Sequence, residues 1–181
     1  AFSAHPDKRD LRWRVEHAQH LSLSDIPRFG RLGVIASMQG VHCTSDGPWV
    51  IKKLGEQRAR EGAYVWRSIM SVGAVICNGT DAPVEDIDPI PSFYAPVTRK
   101  MRAGTSFFPD QRLSREEALR TYTLNGAYAS FQENLLGSIK AGKLADITVL
   151  SKDIMTVPEE EIPATEVRLT IVGGRVLYQK S

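Results

Sequence analysis

The stretch Gly73-Ala74-Val75-Ile76-Cys77-Asn78-Gly79-Thr80-Asp81-Ala82-Pro83-Val84 constrains the fold more than any other part of the chain. Ala74 to Cys77 is a short apolar run, rich in β-branched residues and bounded by glycine. That is how a strand buried on both faces reads in a parallel sheet. Gly79, Thr80 and Asp81 follow at once, and Pro83 then forbids further ladder pairing. Asp81 has two readings. It is a carboxylate delivered at the carboxyl end of a buried strand, where α/β barrels keep their chemistry. It is equally the cap of a turn before Pro83, which is common Asp-x-Pro chemistry.

A chain of 181 residues can bury one core, as one domain or one plus a small appendage. A net charge of +2 without any Lys/Arg block argues against nucleic acid as a partner. No run approaches the ~18 consecutive apolar residues of a membrane span. Ala1-Phe2-Ser3-Ala4-His5-Pro6-Asp7 shows neither an initiator Met nor a signal-peptide apolar region. Cys43 and Cys77 form no CxxC pair, and Cys77 in its apolar run reads as a small hydrophobe. A reducing cytoplasm is the expected compartment.

Leu11 to Ala18 alternates apolar and polar, a strand pattern, and ends in Glu16-His17-Ala18-Gln19-His20. If the strand runs through them, Glu16 and His17 face opposite ways and at most one points into a barrel. A strand-end His is more often structural than a ligand, so His17 stays open on this ground. Ser24 reads as an N-cap for a short helix containing Pro27 and closing at Gly33. Gly33 to Gln39 is a second apolar strand. A polar loop is expected after it, holding His42 and Asp46; long loops at this end of a strand carry function, though Asp46-Gly47-Pro48 also reads as a solvated turn. Trp49 to Arg60 is expected to give one or two helical turns. In Tyr64–Val72, Val65, Ile69 and Val72 fall at helical spacing.

Strand and helix therefore alternate as in a parallel α/β sheet. Successive strand ends from His17 to Asp81 lie roughly 30 residues apart, the allotment of a (β/α)8 barrel. His17 and Asp81 then crown strands two units apart, whose side chains share a layer. Beyond Asp81, Glu85 to Pro91 reads as an acidic, solvated loop without EF-hand spacing. A short helix is expected over Phe93–Arg99, with Arg99, Lys100 and Arg102 as surface charge. Ser114 and Glu117 form a capping box opening a helix that is interrupted near Asn125-Gly126 and resumes from Tyr128 to Glu133. After Gly137 the pattern changes. Ala145–Leu150, Glu166–Val172 and Arg175–Tyr178 read as antiparallel strands, the last two joined by a Gly173-Gly174 turn, with an acidic loop at Glu159-Glu160-Glu161. Residues 1–136 and 137–181 are thus expected to be separate units.

Four segments, in order, resemble the metal-dependent amidohydrolase superfamily. They are Arg14-Val15-Glu16-His17-Ala18-Gln19; Val34-Ile35-Ala36-Ser37-Met38-Gln39 with His42 and Asp46; Asn78-Gly79-Thr80-Asp81-Ala82-Pro83-Val84; and Gly137-Ser138-Ile139 with Gly142-Lys143-Leu144-Ala145-Asp146. The branch they resemble is the YtcJ-like group, which includes N-substituted formamide deformylase. The resemblance implies strands six to eight of a TIM-like (β/α)8 barrel plus strands of a small β-domain. His17 maps to a metal ligand. Asp81 maps to a second ligand that also takes the proton of the attacking water. Gln39, His42 and Asp46 map to the loop after strand seven, with a substrate role. Gly40 departs from the pattern, which has proline there.

The implied activity is hydrolysis of a C–N bond, amide or formamide in type, in a small-molecule substrate by metal-activated water. One or two divalent ions of the zinc class are expected in the complete enzyme. The family's His-x-His occurs nowhere in the chain, so the remaining ligands are expected from an upstream part of the barrel or from neighbouring chains, a homo-oligomer included. The chain alone is then expected to bind metal weakly or not at all and to be inactive. The other reading is a non-catalytic relic that only associates with other chains.

Overall fold

Three short stretches pair side by side in the computed structural model, which describes residues 10–180; the N-terminal stretch read above therefore lies outside the described residues. They are β1 (Arg14–Glu16), β2 (Ile35–Gln39) and β3 (Ile76–Gly79), parallel and in the order β1-β2-β3. Ile35, Ala36 and Met38 of the middle strand are buried, as an apolar run covered on both faces requires. Among the described residues β1 pairs on one side only and is exposed along its length. Three strands do not close a barrel.

The connections are helical. α1 (Ile26–Leu32) starts with Pro27 in its first turn and stops at Gly33, whose φ of 63° suits glycine. Ser24 is not its N-cap: Asp25 occupies that position without a side-chain cap bond, and Ser24 Oγ instead meets Ser22 Oγ. The expected polar loop after β2 is α2 (His42–Leu54), which carries Asp46, Gly47 and Pro48 within it. Tertiary packing overrides the breakers here. Cys43, Gly47 and Val50 are buried, and a Cβ on Gly47 would come within 2.6 Å of Met101 Sδ. α3 (Glu56–Gly62) and α4 (Trp66–Ser71) follow; of the three residues at helical spacing, Val65 and Ile69 are buried, while Val72 lies past the helix end and is half-buried.

α5 (Pro89–Thr98) begins earlier than expected because Asp88 of the acidic loop accepts from the Ile90 N–H and caps it. Arg99 is not surface charge. It ends α5 in a left-handed turn (φ 54°), which sends the side chain inward to 0% exposure, while Lys100 and Arg102 remain exposed. Its Nε donates to Phe107 O at 2.5 Å and its Nη1 to Tyr64 O at 2.9 Å, with the guanidinium over the Trp66 ring at 4.8 Å. A buried cation without a carboxylate hydrogen-bond partner is held by backbone carbonyls and an aromatic face.

α6 (Arg115–Tyr122) opens with the full Ser114/Glu117 capping box. The break falls at Thr123, not at Asn125-Gly126, which lie inside α7 (Leu124–Ala129). Asn125 Nδ2 donates to Ile76 O, tying that turn to β3. The helix ends at Ala129 and does not continue to Glu133. The acidic tract at Glu159 is a 3₁₀ turn, Glu159–Ala164, that buries Ile162. β4 (Ile147–Leu150), β5 (Val167–Val172) and β6 (Arg175–Gln179) form the antiparallel tail sheet, with Gly173 and Gly174 at φ 56° and 78° in the turn. No helix among the described residues is long and apolar enough to cross a membrane.

Glu117 also carries a pH dependence. Its bidentate pairing with the Arg67 guanidinium and its hydrogen bonds at Ser114 hold the carboxyl down at about 2. The folded value lies below the unfolded one, so the stabilisation is complete above about 4.5 and is lost as pH falls towards about 2. Glu117→Gln is expected to destabilise by about 1 kcal/mol at neutral pH. In thermal melts taken across that window, the gap between variant and wild type should close as the solution is acidified.

Candidate metal centre

The carboxyl ends of β1, β2 and β3 lie together, and His17, His42 and Asp81 follow them within three residues. His17 is the first residue past β1, at φ 67°, and Asp81 lies just past β3, at φ 62°. Both are left-handed conformations that cost a non-glycine residue energy and that recur at functional sites. Because His17 lies beyond the strand, strict alternation does not set its direction; the turn does. Glu16 faces elsewhere and pairs with Arg14 Nε at 3.0 Å, the ion pair its strand position suggests. The Asp81 carbonyl accepts from the Val84 N–H at 2.7 Å, so the turn reading holds for its backbone while the carboxylate projects towards the site.

Asp81 Oδ2 lies 3.9 Å from His17 Nε2 and 3.8 Å from His42 Nε2. These separations are too long for hydrogen bonds. The imidazoles of His17 and His42 stand nearly parallel, 5.8 Å between centroids. The three donor atoms lie within 4.8 Å of one another. His42 reaches this corner because α2 starts at it, so the helix that replaced the expected loop aims the ring; the residue is 6% exposed. His17 Nδ1 and His42 Nε2 are buried without a hydrogen-bond partner among the described residues. Two imidazoles and a carboxylate around a common gap are a donor set for a divalent ion of the zinc class.

The other expected residues fall close by. Gln39, at the end of β2, is buried and its Oε1 has no partner among the described residues. Asp46 Oδ2 accepts from the Tyr64 hydroxyl at 2.7 Å, Tyr64 Oη accepts from Gln19 Nε2 at 3.0 Å, and the same nitrogen is 3.1 Å from His42 Nδ1. Gln19 and Tyr64 were not legible as site residues. Gln19 stood in the His17 motif without an assigned partner, and Tyr64 read only as the start of a helix. Burial, and then the bond to Asp46, raise the Tyr64 phenol well above its ordinary range, so it keeps its proton. Burial pushes the Cys43 thiol up to about 12, and the fully buried side chain packs in the core as a small hydrophobe. Gly40 is explained by its backbone. Its N–H donates to Asn78 Oδ1 at 2.8 Å, a bond proline cannot make, and a Cβ there would lie 2.5 Å from Ser92 O. A cavity of about 490 Å³ opens between the first turn of α2, at Thr44 and Ser45, and the acidic loop at Glu85 and Asp86.

A sequence model described as Amidohydrolase family matches residues 1–178. The chain belongs to the amidohydrolase family. Among the proteins it is similar to, the protein LONG AFTER FAR-RED 3 of Arabidopsis thaliana is 39% identical over 94% of this chain and 29% of its own length. Putative amidohydrolase YtcJ of Bacillus subtilis is 33% identical over 100% of this chain and 35% of its own. The crystal structure of an uncharacterized metal-dependent hydrolase from Pyrococcus horikoshii superposes with a TM-score of 0.74 at 28% identity, over 88% of this chain and 32% of that one. This amidohydrolase chain thus spans about a third of the length of the relatives it matches.

Proposed function

We propose that the chain is the His17–Asp81 side of a metal-dependent hydrolase that cleaves an amide-type C–N bond in a small molecule. The observation that carries this is the convergence of His17 Nε2 and Asp81 Oδ2 to 3.9 Å across three parallel strands. Two ligand bonds of roughly 2.0–2.2 Å to one tetrahedral ion set donor atoms about 3.4 Å apart, so a closure of about half an ångström brings this pair to ligand spacing. In this reading β1, β2 and β3 are strands six to eight of a TIM-like barrel, residues 1–136 belong to that barrel and residues 137–181 to the small β-domain. The relatives' greater length and the sheet edges that pair with no strand among the described residues support it. The ordered convergence of the three polar side chains disfavours a relic with scattered leftovers.

A divalent ion bound here supplies Lewis acidity, lowering the pKa of water and polarising the scissile carbonyl. The residues of the chain do the rest. Asp81 accepts the proton of the attacking water and passes it to the amine nitrogen as the C–N bond breaks. Gln39 offers a buried, unpartnered amide oxygen to a substrate N–H. His17 and Asp81 supply two of the about three protein ligands a catalytic zinc site uses, so a further ligand from outside this pair completes the set, and the chain alone is expected to be inactive. The first test strips protein made from the complete reading frame of metal, returns Zn²⁺, and follows amine release from a panel of amides and formamides. His17→Asn is expected to raise the dissociation constant for Zn²⁺ by more than the roughly 10–100-fold that losing an outer partner costs. Unchanged Zn²⁺ affinity in that variant would sink the proposal.

A further inference from the structure

The polarity of one hydrogen-bond chain limits what His42 can do. An ionised carboxylate only accepts, so the single Tyr64 hydroxyl proton goes to Asp46 Oδ2, 2.7 Å away. Tyr64 Oη must then accept from Gln19 at 3.0 Å, which places the amide nitrogen, not its oxygen, at this end of Gln19. The same nitrogen lies 3.1 Å from His42 Nδ1 and has a second N–H to donate. His42 Nδ1 is therefore an acceptor, and a neutral imidazole that accepts at Nδ1 carries its proton on Nε2. That N–H is buried, has no partner, and faces the gap beside Asp81 at 3.8 Å. A nitrogen that carries a proton has no lone pair to offer an ion.

The geometry points to His42 as a hydrogen-bond donor to the reacting oxygen, not a metal ligand, with Asp46, Tyr64 and Gln19 as positioning residues that fix its tautomer. This assignment rests on the hydrolase reading given above. The step balances as follows. The water oxygen bonds to the carbonyl carbon, and the C=O π pair moves onto the carbonyl oxygen. That oxygen accepts from His42 Nε2–H, which transfers no proton. Asp81 takes the water proton, and when the pair returns to re-form C=O the C–N bond breaks and the amine leaves with that proton. The chain is indifferent to the substrate's leaving group because every member acts on the side of the oxygen.

Long-range ¹H–¹⁵N correlation spectra of histidine-labelled protein, made from the complete reading frame, read the tautomer directly at neutral pH. His42 is expected as the Nε2–H form without metal and to remain so when Zn²⁺ is added, while the His17 signals shift. An Nδ1–H tautomer in the metal-free protein, or loss of the Nε2 proton on adding Zn²⁺, overturns the assignment. Gln19→Glu replaces the donating amide with an acceptor and is expected to invert His42 to the Nδ1–H form. It should also lower kcat about 10²–10³-fold, the cost of one lost oxyanion donor, with KM nearly unchanged. Tyr64→Phe, which removes the anchor of the amide, is expected to give both tautomers and serves if the first variant does not fold. An unaltered His42 tautomer in whichever of the two variants folds also overturns the relay. Failure of the hydrolase reading looks different: Zn²⁺ would leave His17 unperturbed, whereas the His42 tautomer is decided in the same sample before any ion is added.

Discussion

In protein made from the complete reading frame, Asp81→Asn is expected to lower kcat for the proposed amide hydrolysis by on the order of 10²–10⁴-fold, the range for loss of a general base. Asparagine is the right replacement because position 81 sits at φ 62°, a conformation that Asn tolerates and that Ala does not. The Asp81 carbonyl, which closes the turn by accepting from Val84, is untouched by the change. The thermal midpoint should therefore stay near that of the wild type. Two roles for the carboxylate separate on titration with Zn²⁺. If saturating metal restores turnover, Asp81 is a ligand only. If turnover stays low at saturation, the carboxylate moves the proton as well, which is the expected result. Wild-type turnover in the variant at ordinary metal concentrations would remove Asp81 from the chemistry.

The largest effect on stability is expected at Arg99. Arg99→Met keeps much of the volume but strands the Phe107 carbonyl, a buried acceptor costing about 1–3 kcal/mol once its donor is gone, and takes one of two donors from the Tyr64 carbonyl, which keeps the Trp66 N–H at 3.0 Å. Loss of the guanidinium over Trp66 adds to this. A loss of roughly 2–4 kcal/mol in urea unfolding is expected, a large share of the ~5–15 kcal/mol that holds a domain together. Arg99→Lys should recover only part, since a point-charge ammonium does not reproduce the planar fork. The consequence reaches the site. Arg99 holds the Tyr64 backbone, itself left-handed at φ 52°, and Tyr64 in turn orients Gln19. A change below 1 kcal/mol in Arg99→Met would show that the carbonyls find other donors.

Much of the frame was legible because it rests on periodicity and punctuation, which are local. The apolar runs at Ile35 and Ile76 became the paired strands, Gly33 closed its helix, Ser114 and Glu117 capped theirs, and Gly173-Gly174 made the hairpin. The spacing of His17 and Asp81 along the chain placed them at strand ends two strands apart, and parallel pairing brought those ends together. Local rules failed where distant packing outweighed them. Pro48 and Gly47 read as a turn, yet they lie in α2 because buried Cys43 and Val50 and the close approach of Met101 favour the helix. Arg99 read as one charge in a surface cluster, because nothing nearby in sequence announces the carbonyls of Tyr64 and Phe107.

By itself, then, the sequence determined where the buried strands run and where several helices and the hairpin stop, and it set His17 and Asp81 at the ends of strands two apart. Only the tertiary structure decided the partners of the polar groups. His42 enters the corner because a helix starts there, Gly40 is tolerated because Asn78 meets its N–H, and the direction of the Asp46–Tyr64–Gln19–His42 chain follows from which atoms touch. The physical reason is range. Backbone preference acts over a few residues, whereas a buried hydrogen bond joins groups far apart in the chain, and its donor and acceptor are defined only once both have been taken out of water.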